Sequence, residues 1–282
     1  MTAKPRTAAG YDRTFVGHVR ATCLYVATKL GDLLDEVVIV GGLVPSLLVD
    51  QRAAGDQHVG TADLDVGLAL AIFDDKRYQA LTERLRSAGF APDRNERGNP
   101  TRQRWQIERP PKVTVDFLIP PAAGEEADAR VKDIEADFAA IIAPGLRLAF
   151  RDQTKVVIEG RTLLDEEARR EVWVCGPAAF VAMKALAFRG RGENKDAYDL
   201  TYMLRNHPLG IKSTAEQLGQ LLDDAEATNA VAFLDEDFKT VDSLGPRRVA
   251  QFLDEGNEAI QADAWGAVRG LLESLARLNA AS

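Results

Sequence analysis

Residues 61–66 read Thr-Ala-Asp-Leu-Asp-Val, and the two carboxylates in that run restrict what the surrounding chain can fold into. Residues 62–70 are apolar wherever they do not carry Asp63 or Asp65, which marks them as a strand. Alternate residues of a strand point to one face, so the two acids project together, their Cα atoms roughly 7 Å apart. Adjacent carboxylates repel, and a strand flanked by Val66, Leu68 and Leu70 tolerates them only with compensation. A hard divalent cation supplies it, because Mg²⁺ takes oxygen ligands and commonly one or two carboxylates together with substrate phosphates. A lone Asp-x-Asp is more often a pair of surface residues, and two further features change that balance.

The first is Asp116, the one acid in the apolar run 113–119. If that run is a strand paired beside the first, Asp116 reaches the same spot. Three carboxylates suit two ions about 3.5–4 Å apart, an arrangement that activates an attacking oxygen and steadies a departing one. The second is Gly41-Gly42, which ends the β-branched run 37–40. A strand–Gly-Gly–helix unit offers backbone N–H groups and a helix N-terminus to phosphate.

Hydrophobic periodicity organises the rest. Phe15, Val19, Cys23, Val26, Leu30 and Leu34 predict a helix over 11–34, and further helices are expected over 43–53 and 74–88. Residues 103–108 and 112–119 predict a hairpin around Arg109-Pro110-Pro111, residues 124–133 a polar loop, and 146–150, 155–159 and 171–174 short strands. After Gly176 the pattern becomes helical, over 177–188, 195–206, 213–222, 225–233, 246–255 and 263–278. The expected class is α+β. An N-terminal mixed sheet with flanking helices, residues 1–175, precedes a C-terminal helical bundle, 176–282, that completes a cleft.

The formal net charge of −8 argues against duplex DNA as a partner. A basic stretch (Arg84, Arg86, Arg94, Arg97, Arg102, Arg104, Arg109 and Lys112) reads either as a solvated face or as a contact for RNA. The two cysteines, Cys23 and Cys175, sit in no metal-binding or paired pattern. No apolar run approaches the roughly 18–20 residues that span a bilayer, and residues 1–10 lack the apolar core of a signal peptide. A cytoplasmic protein without a membrane partner is expected.

The order Gly41-Gly42, then His58-Val59-Gly60-Thr61-Ala62-Asp63-Leu64-Asp65, then Asp116 resembles the DNA polymerase β-like nucleotidyltransferase superfamily. Residues 182–189, Ala-Met-Lys-Ala-Leu-Ala-Phe-Arg, and 195–200, Lys-Asp-Ala-Tyr-Asp-Leu, resemble the downstream motifs of the AbiEii-type nucleotidyltransferase toxins, the toxic halves of toxin–antitoxin and phage-defence pairs. The similarity covers about residues 37–204 and leaves the last seventy or so largely outside.

The resemblance implies an enzyme moving NMP from an NTP to an acceptor hydroxyl. The acceptor would be an RNA end or a protein, and an antitoxin would be a further partner. Asp63, Asp65 and Asp116 would bind Mg²⁺, or Mn²⁺ in its place, and act with Asp199 in catalysis. Gly41, Gly42, Thr61 and Lys184 would contact the nucleotide. The chain departs from the family in having Val59 where an arginine is common, and in a longer stretch between Gly42 and Asp63. Other readings are a small-molecule (antibiotic) nucleotidyltransferase and a silent nucleotide-binding or interaction protein of the same fold.

On residue chemistry alone, Lys184 on an apolar helix face either snorkels to the surface or points at a fixed anion. Asp196 reads as favourable first-turn charge and Asp199 as the stronger functional candidate. His58 reads as a hydrogen-bonded structural residue.

Overall fold

The computed structural model describes residues 5–51, 54–69, 75–122, 130–135 and 138–281. Helix α1, Phe15–Leu30, buries Val19, Cys23, Val26 and Leu30, the stripe its periodicity predicts. It ends at Gly31, whose φ of 58° lies in the left-handed region. Strand β1, Val37–Val40, is buried throughout, as a continuous β-branched run should be. The Gly41-Gly42 turn follows, then α2, Val44–Leu48, which is much shorter than the helix expected over 43–53. Positions 52 and 53 of that expectation lie outside the described residues.

Next come β2, Asp63–Leu68; α3, Asp75–Ser87; β3, Ala91–Arg94; β4, Pro100–Gln106; β5, Thr114–Ile119; β6, Val131–Glu135; and β7, Phe138–Ile142. Residue 74, the expected start of the helix now seen as α3, lies outside the described residues. The chain continues through α4, Leu146–Arg151; β8, Gln153–Arg161; and β9, Glu167–Cys175. The helices α5, Pro177–Arg191; α6, Asn194–Asn206; α7, Gly210–Gly219; α8, Ala225–Asp237; α9, Leu244–Leu253; and α10, Glu258–Ala281, complete it.

Among the described residues nine strands form one mixed sheet in the order β3-β4-β5-β2-β1-β9-β8, with β6 and β7 joined to β5 through β7. The expected hairpin is present as β4 and β5, antiparallel with Arg104 opposite Asp116. Strands β2 and β5 run parallel, with Asp65 opposite Asp116 and Asp63 opposite Thr114. Beyond β2, Val40 of β1 stands opposite Asp65. Leu64, Val66 and Leu68 alternate with the acids and, like Val115, Phe117 and Trp105, are buried in the core.

Two further expectations need correction. Residues 146–150 form a helix, α4, not a strand. Leu146, Leu148 and Phe150 alternate like a strand, but the run is too short for periodicity to discriminate, and Leu146 packs in helical form over Gly67. Of the loop expected over 124–133, positions 124–129 lie outside the described residues, and 131–133 belong to β6. Strands β3 and β7 carry Pro92 and the short run Phe-Ala-Ala-Ile-Ile, and neither has an alternation to announce it.

The passage from sheet to helices is direct. Asp152, at the end of α4, accepts a hydrogen bond from the Ala179 backbone N–H at 2.8 Å and so caps α5 where no N-cap side chain does. One apolar cluster runs from the sheet into α5, α6, α8 and α10. Among the described residues no helix is long and apolar enough to cross a membrane.

Candidate active site

Asp65 and Asp116 share one face because they are paired abreast on parallel strands, and Asp63 joins them two residues along β2. Carboxylate oxygens of the three lie within 4.8 Å of one another, and among the described residues they form the one acidic or His/Cys group close enough to hold a metal ion. Asp63 and Asp116 are buried and Asp65 half-buried, so the cluster is accessible from one side. Thr61 donates its hydroxyl to Asp63 Oδ1 at 2.8 Å and orients that acid.

The Gly-Gly turn presses against these residues. Gly41 adopts a φ of +70°, and a Cβ there would land on the Asp65 carboxylate. A Cβ on Gly42 would fall 2.7 Å from the Thr61 hydroxyl and 3.5 Å from Lys195 Nζ. Glycine at both positions is therefore required by close approach, at Gly41 also by backbone conformation. Helix α2 behind the turn is only five residues long, and the Lys195 ammonium, bonded to Asp199, lies close beside Gly42.

The donor set fits a hard divalent ion. It consists of carboxylate oxygens alone, grouped where three negative charges otherwise oppose one another. Nearby, Gln106 stands opposite Thr114, on the row of Asp63, and its buried Oε1 has no hydrogen-bond partner among the described residues. A cationic group already sits on the acids. Arg104 donates from Nε to Asp116 Oδ1 at 2.6 Å and from Nη2 to Asp116 Oδ2 at 2.5 Å.

Lys184, Asp196 and Asp199 lie together in a second cluster, which is not part of the acid triad. Lys184 Nζ is 3.0 Å from Asp196 Oδ1 and 2.7 Å from Asp199 Oδ2. Of the two readings open to Lys184, it points at fixed anions, and these are the protein's own carboxylates. Asp196 does carry its charge in the first turn of α6, as expected. It is fully buried and clamped by Arg191, from Nε and from Nη2, at 2.7 Å each. Asp199, also fully buried, accepts from Lys195 Nζ at 2.7 and 2.9 Å and from His58 Nε2 at 2.9 Å.

His58 Nδ1 accepts the Gly60 N–H at 3.1 Å, so the proton belongs on Nε2, which donates to Asp199. Burial holds the imidazole neutral, pulling its pKa to about 4 against the hydrogen bond to the Asp199 carboxylate, which favours the charged form. Burial likewise opposes ionisation of Asp199, yet Lys184, Lys195 and the His58 hydrogen bond outweigh it and hold the carboxyl well below its usual range. Burial lowers the pKa of Lys184, but Asp199 and Asp196 more than reverse it, and the net shift is upward.

This cluster ties α6 to the segment that enters β2. The Val59 N–H donates to the Tyr198 hydroxyl at 3.1 Å, the Tyr202 hydroxyl donates to the Asp56 carbonyl at 3.0 Å, and His58 stacks on Tyr198 with ring centroids 5.3 Å apart. Val59, in the position where an arginine is common, is buried.

A family model described as nucleotidyl transferase AbiEii toxin, type IV TA system, matches residues 52–279. The chain belongs to the AbiEii nucleotidyl transferase toxin family. No curated protein matches it. The AbiEii match takes in both clusters and continues through the C-terminal helices, well beyond the 37–204 that the motifs suggest, while Gly41-Gly42 precede it.

Two site residues escaped sequence reading of this AbiEii chain. Arg104 was submerged in the basic stretch, although its alternation with Trp105 places it on the polar face of β4. Lys195 opens the 195–200 motif four residues before Asp199, the spacing at which helix neighbours meet. At least half of the basic stretch is paired with acids: Arg84 with Asp32, Arg102 with Asp133, Arg104 with Asp116 and Lys112 with Asp93. Cys23 and Cys175 are buried free thiols, and burial raises the pKa of Cys23 to about 12.

Proposed function

We propose that this chain moves a nucleoside monophosphate from an NTP to an acceptor hydroxyl, an RNA end or a protein side chain, with release of pyrophosphate. The observation that carries the reading is the convergence of Asp63, Asp65 and Asp116 within 4.8 Å, beside a turn that only glycine can form. The three acids would hold Mg²⁺, or Mn²⁺ in its place. A bound divalent ion supplies positive charge to the triphosphate and makes an acceptor oxygen easier to deprotonate.

The chain's own contribution is position and charge. The Gly41-Gly42 backbone and the Lys195 ammonium face the side where phosphate would lie, and Thr61 fixes the Asp63 rotamer. Lys184, Asp196 and Asp199 hold α5 and α6 against the entry to β2, so their part is to keep Lys195 and the acid pair in place. Asp116, on the strand next to β2 rather than beside the glycine turn, would receive a proton from the acceptor once Arg104 no longer covers its oxygens. On this reading residues 1–175 are a nucleotidyltransferase sheet, and helices 176–282 complete the cleft. In the type IV system that names the family, the chain would be the toxin, held in check by a separate antitoxin.

The test is to incubate the full chain and an Asp65→Asn variant with α-labelled NTPs and separate RNA, protein and small-molecule fractions. Label should enter the RNA or protein fraction with the wild type and neither fraction with the variant. Label confined to small molecules would replace this acceptor class with the antibiotic-type reading. NTP binding without transfer to any fraction would favour the silent one.

A further inference from the structure

Arg104, Asp116 and Asp65 stand abreast on three adjacent strands, β4, β5 and β2. The guanidinium covers both oxygens of Asp116, and its Nη2 lies 4.0 Å from Asp63 Oδ2. A two-pronged contact of this kind is the strongest geometry open to a carboxylate and an arginine. The arginine side chain is 20% exposed against 5% for Asp116, so it approaches the acids from the solvent side. A permanently charged group thus occupies the coordination positions of one acid and shares the field of the others.

Resting on the cation reading above, we propose that Arg104 is a resident counter-ion of the acid triad, which a divalent ion must displace from Asp116 before all three acids can hold it. Arg104 then sets how tightly the site takes metal, and it keeps the carboxylates paired when no metal is bound. Arginine and metal compete for the same oxygens. Three carboxylates and one guanidinium sum to a formal charge of −2, against −3 without the arginine, and an entering ion also breaks the bidentate contact. Both effects weaken metal binding while Arg104 is in place. A charged partner also offsets the repulsion among acids packed this closely. Once released, the side chain remains anchored on β4 beside the metal, with a fork matched to phosphate oxygens.

The experiment is a titration of the nucleotide-free full chain with Mn²⁺, followed by calorimetry or by the Mn²⁺ spin-resonance signal. Wild type is compared with Arg104→Met, Arg104→Lys and, to locate the ion, Asp65→Asn. Arg104→Met should bind Mn²⁺ roughly ten-fold or more tightly than wild type, where each ten-fold is about 1.4 kcal/mol. Arg104→Lys, which keeps the charge but loses the fork, should fall between them, and Asp65→Asn should bind weakly. In chelator, Arg104→Met should melt below wild type, and Mn²⁺ should restore more of its stability than it adds to wild type. A purely structural arginine would give a loss that metal does not recover. Equal or weaker Mn²⁺ binding by Arg104→Met would overturn the proposal and leave the transferase reading standing. If Arg104→Met does not fold, Arg104→Lys decides, and binding no tighter than wild type would overturn it. Absence of Mn²⁺ binding in every form would overturn both readings.

Discussion

Gly41 and Asp65 constrain each other. A side chain at position 41 would need a positive φ and would occupy the space of the Asp65 carboxylate. Gly41→Ala should therefore destabilise the protein by about 1–3 kcal/mol, measured by urea unfolding. Adding Asp65→Ala to it should recover the steric part, so the two substitutions should cost less together than their sum. Fully additive costs would mean that the turn relaxes away from the acid.

His58 makes a different prediction at the same scale. Its pKa falls from 6.5 to about 4 on folding, because burial disfavours the charged ring. The unfolded chain therefore takes up the proton first on acidification. The stabilisation is complete above pH 6.5 and is lost as pH falls toward 4, by up to about 3 kcal/mol. Unfolding of wild type and His58→Gln between pH 7 and 4.5 should show a shallower slope for the variant. Parallel slopes would contradict a buried neutral ring.

At the scale of elements, α6 is the piece on which the second cluster depends. Asp199 neutralises two buried lysines on α5 and α6 and receives the His58 proton donor. Asp199→Asn should cost about 3–5 kcal/mol in urea unfolding, since it leaves Lys184 and Lys195 short of an anion. A cost below about 1 kcal/mol would show that water reaches these lysines.

Elements also mark how far sequence reading carries. Long amphipathic helices such as α1 and α6, and the β4–β5 hairpin around two prolines, were legible from periodicity and turn chemistry. Segment 146–151 was not, because three alternating apolar residues fit one turn of helix as well as a strand, and only its packing on Gly67 decides. The closeness of Asp63 and Asp65 was readable as a conflict between charge and burial, and that of Asp116 only on condition that its strand lay beside theirs. That β2 and β5 run parallel with Asp65 opposite Asp116 was not, since register depends on partners far away in sequence.

For the whole molecule, the apolar core passes without a break from the sheet into the helices. Helix α5 is capped by Asp152, and α6 holds the entry to β2. Residues 1–175 expressed alone should fail to give a dispersed amide spectrum or a cooperative melt, because the truncation uncovers that face and deletes the partners of His58. A well-folded fragment would show the sheet to be self-sufficient. Charge distribution could not be read at this scale from composition, because a basic stretch in sequence can be spent on acids elsewhere in the fold. Arg102 and Arg104 both are.

The central claim is that the three-acid cluster is where the reaction takes place. Its most direct test is pyrophosphate release, measured with the acceptor fraction that takes label, for wild type, Asp65→Asn and Asp116→Asn of verified fold. The account predicts release by the wild type in step with NMP incorporation and a fall of at least about 10²–10³-fold in each variant. A correctly folded Asp65→Asn protein that releases pyrophosphate at the wild-type rate would contradict it.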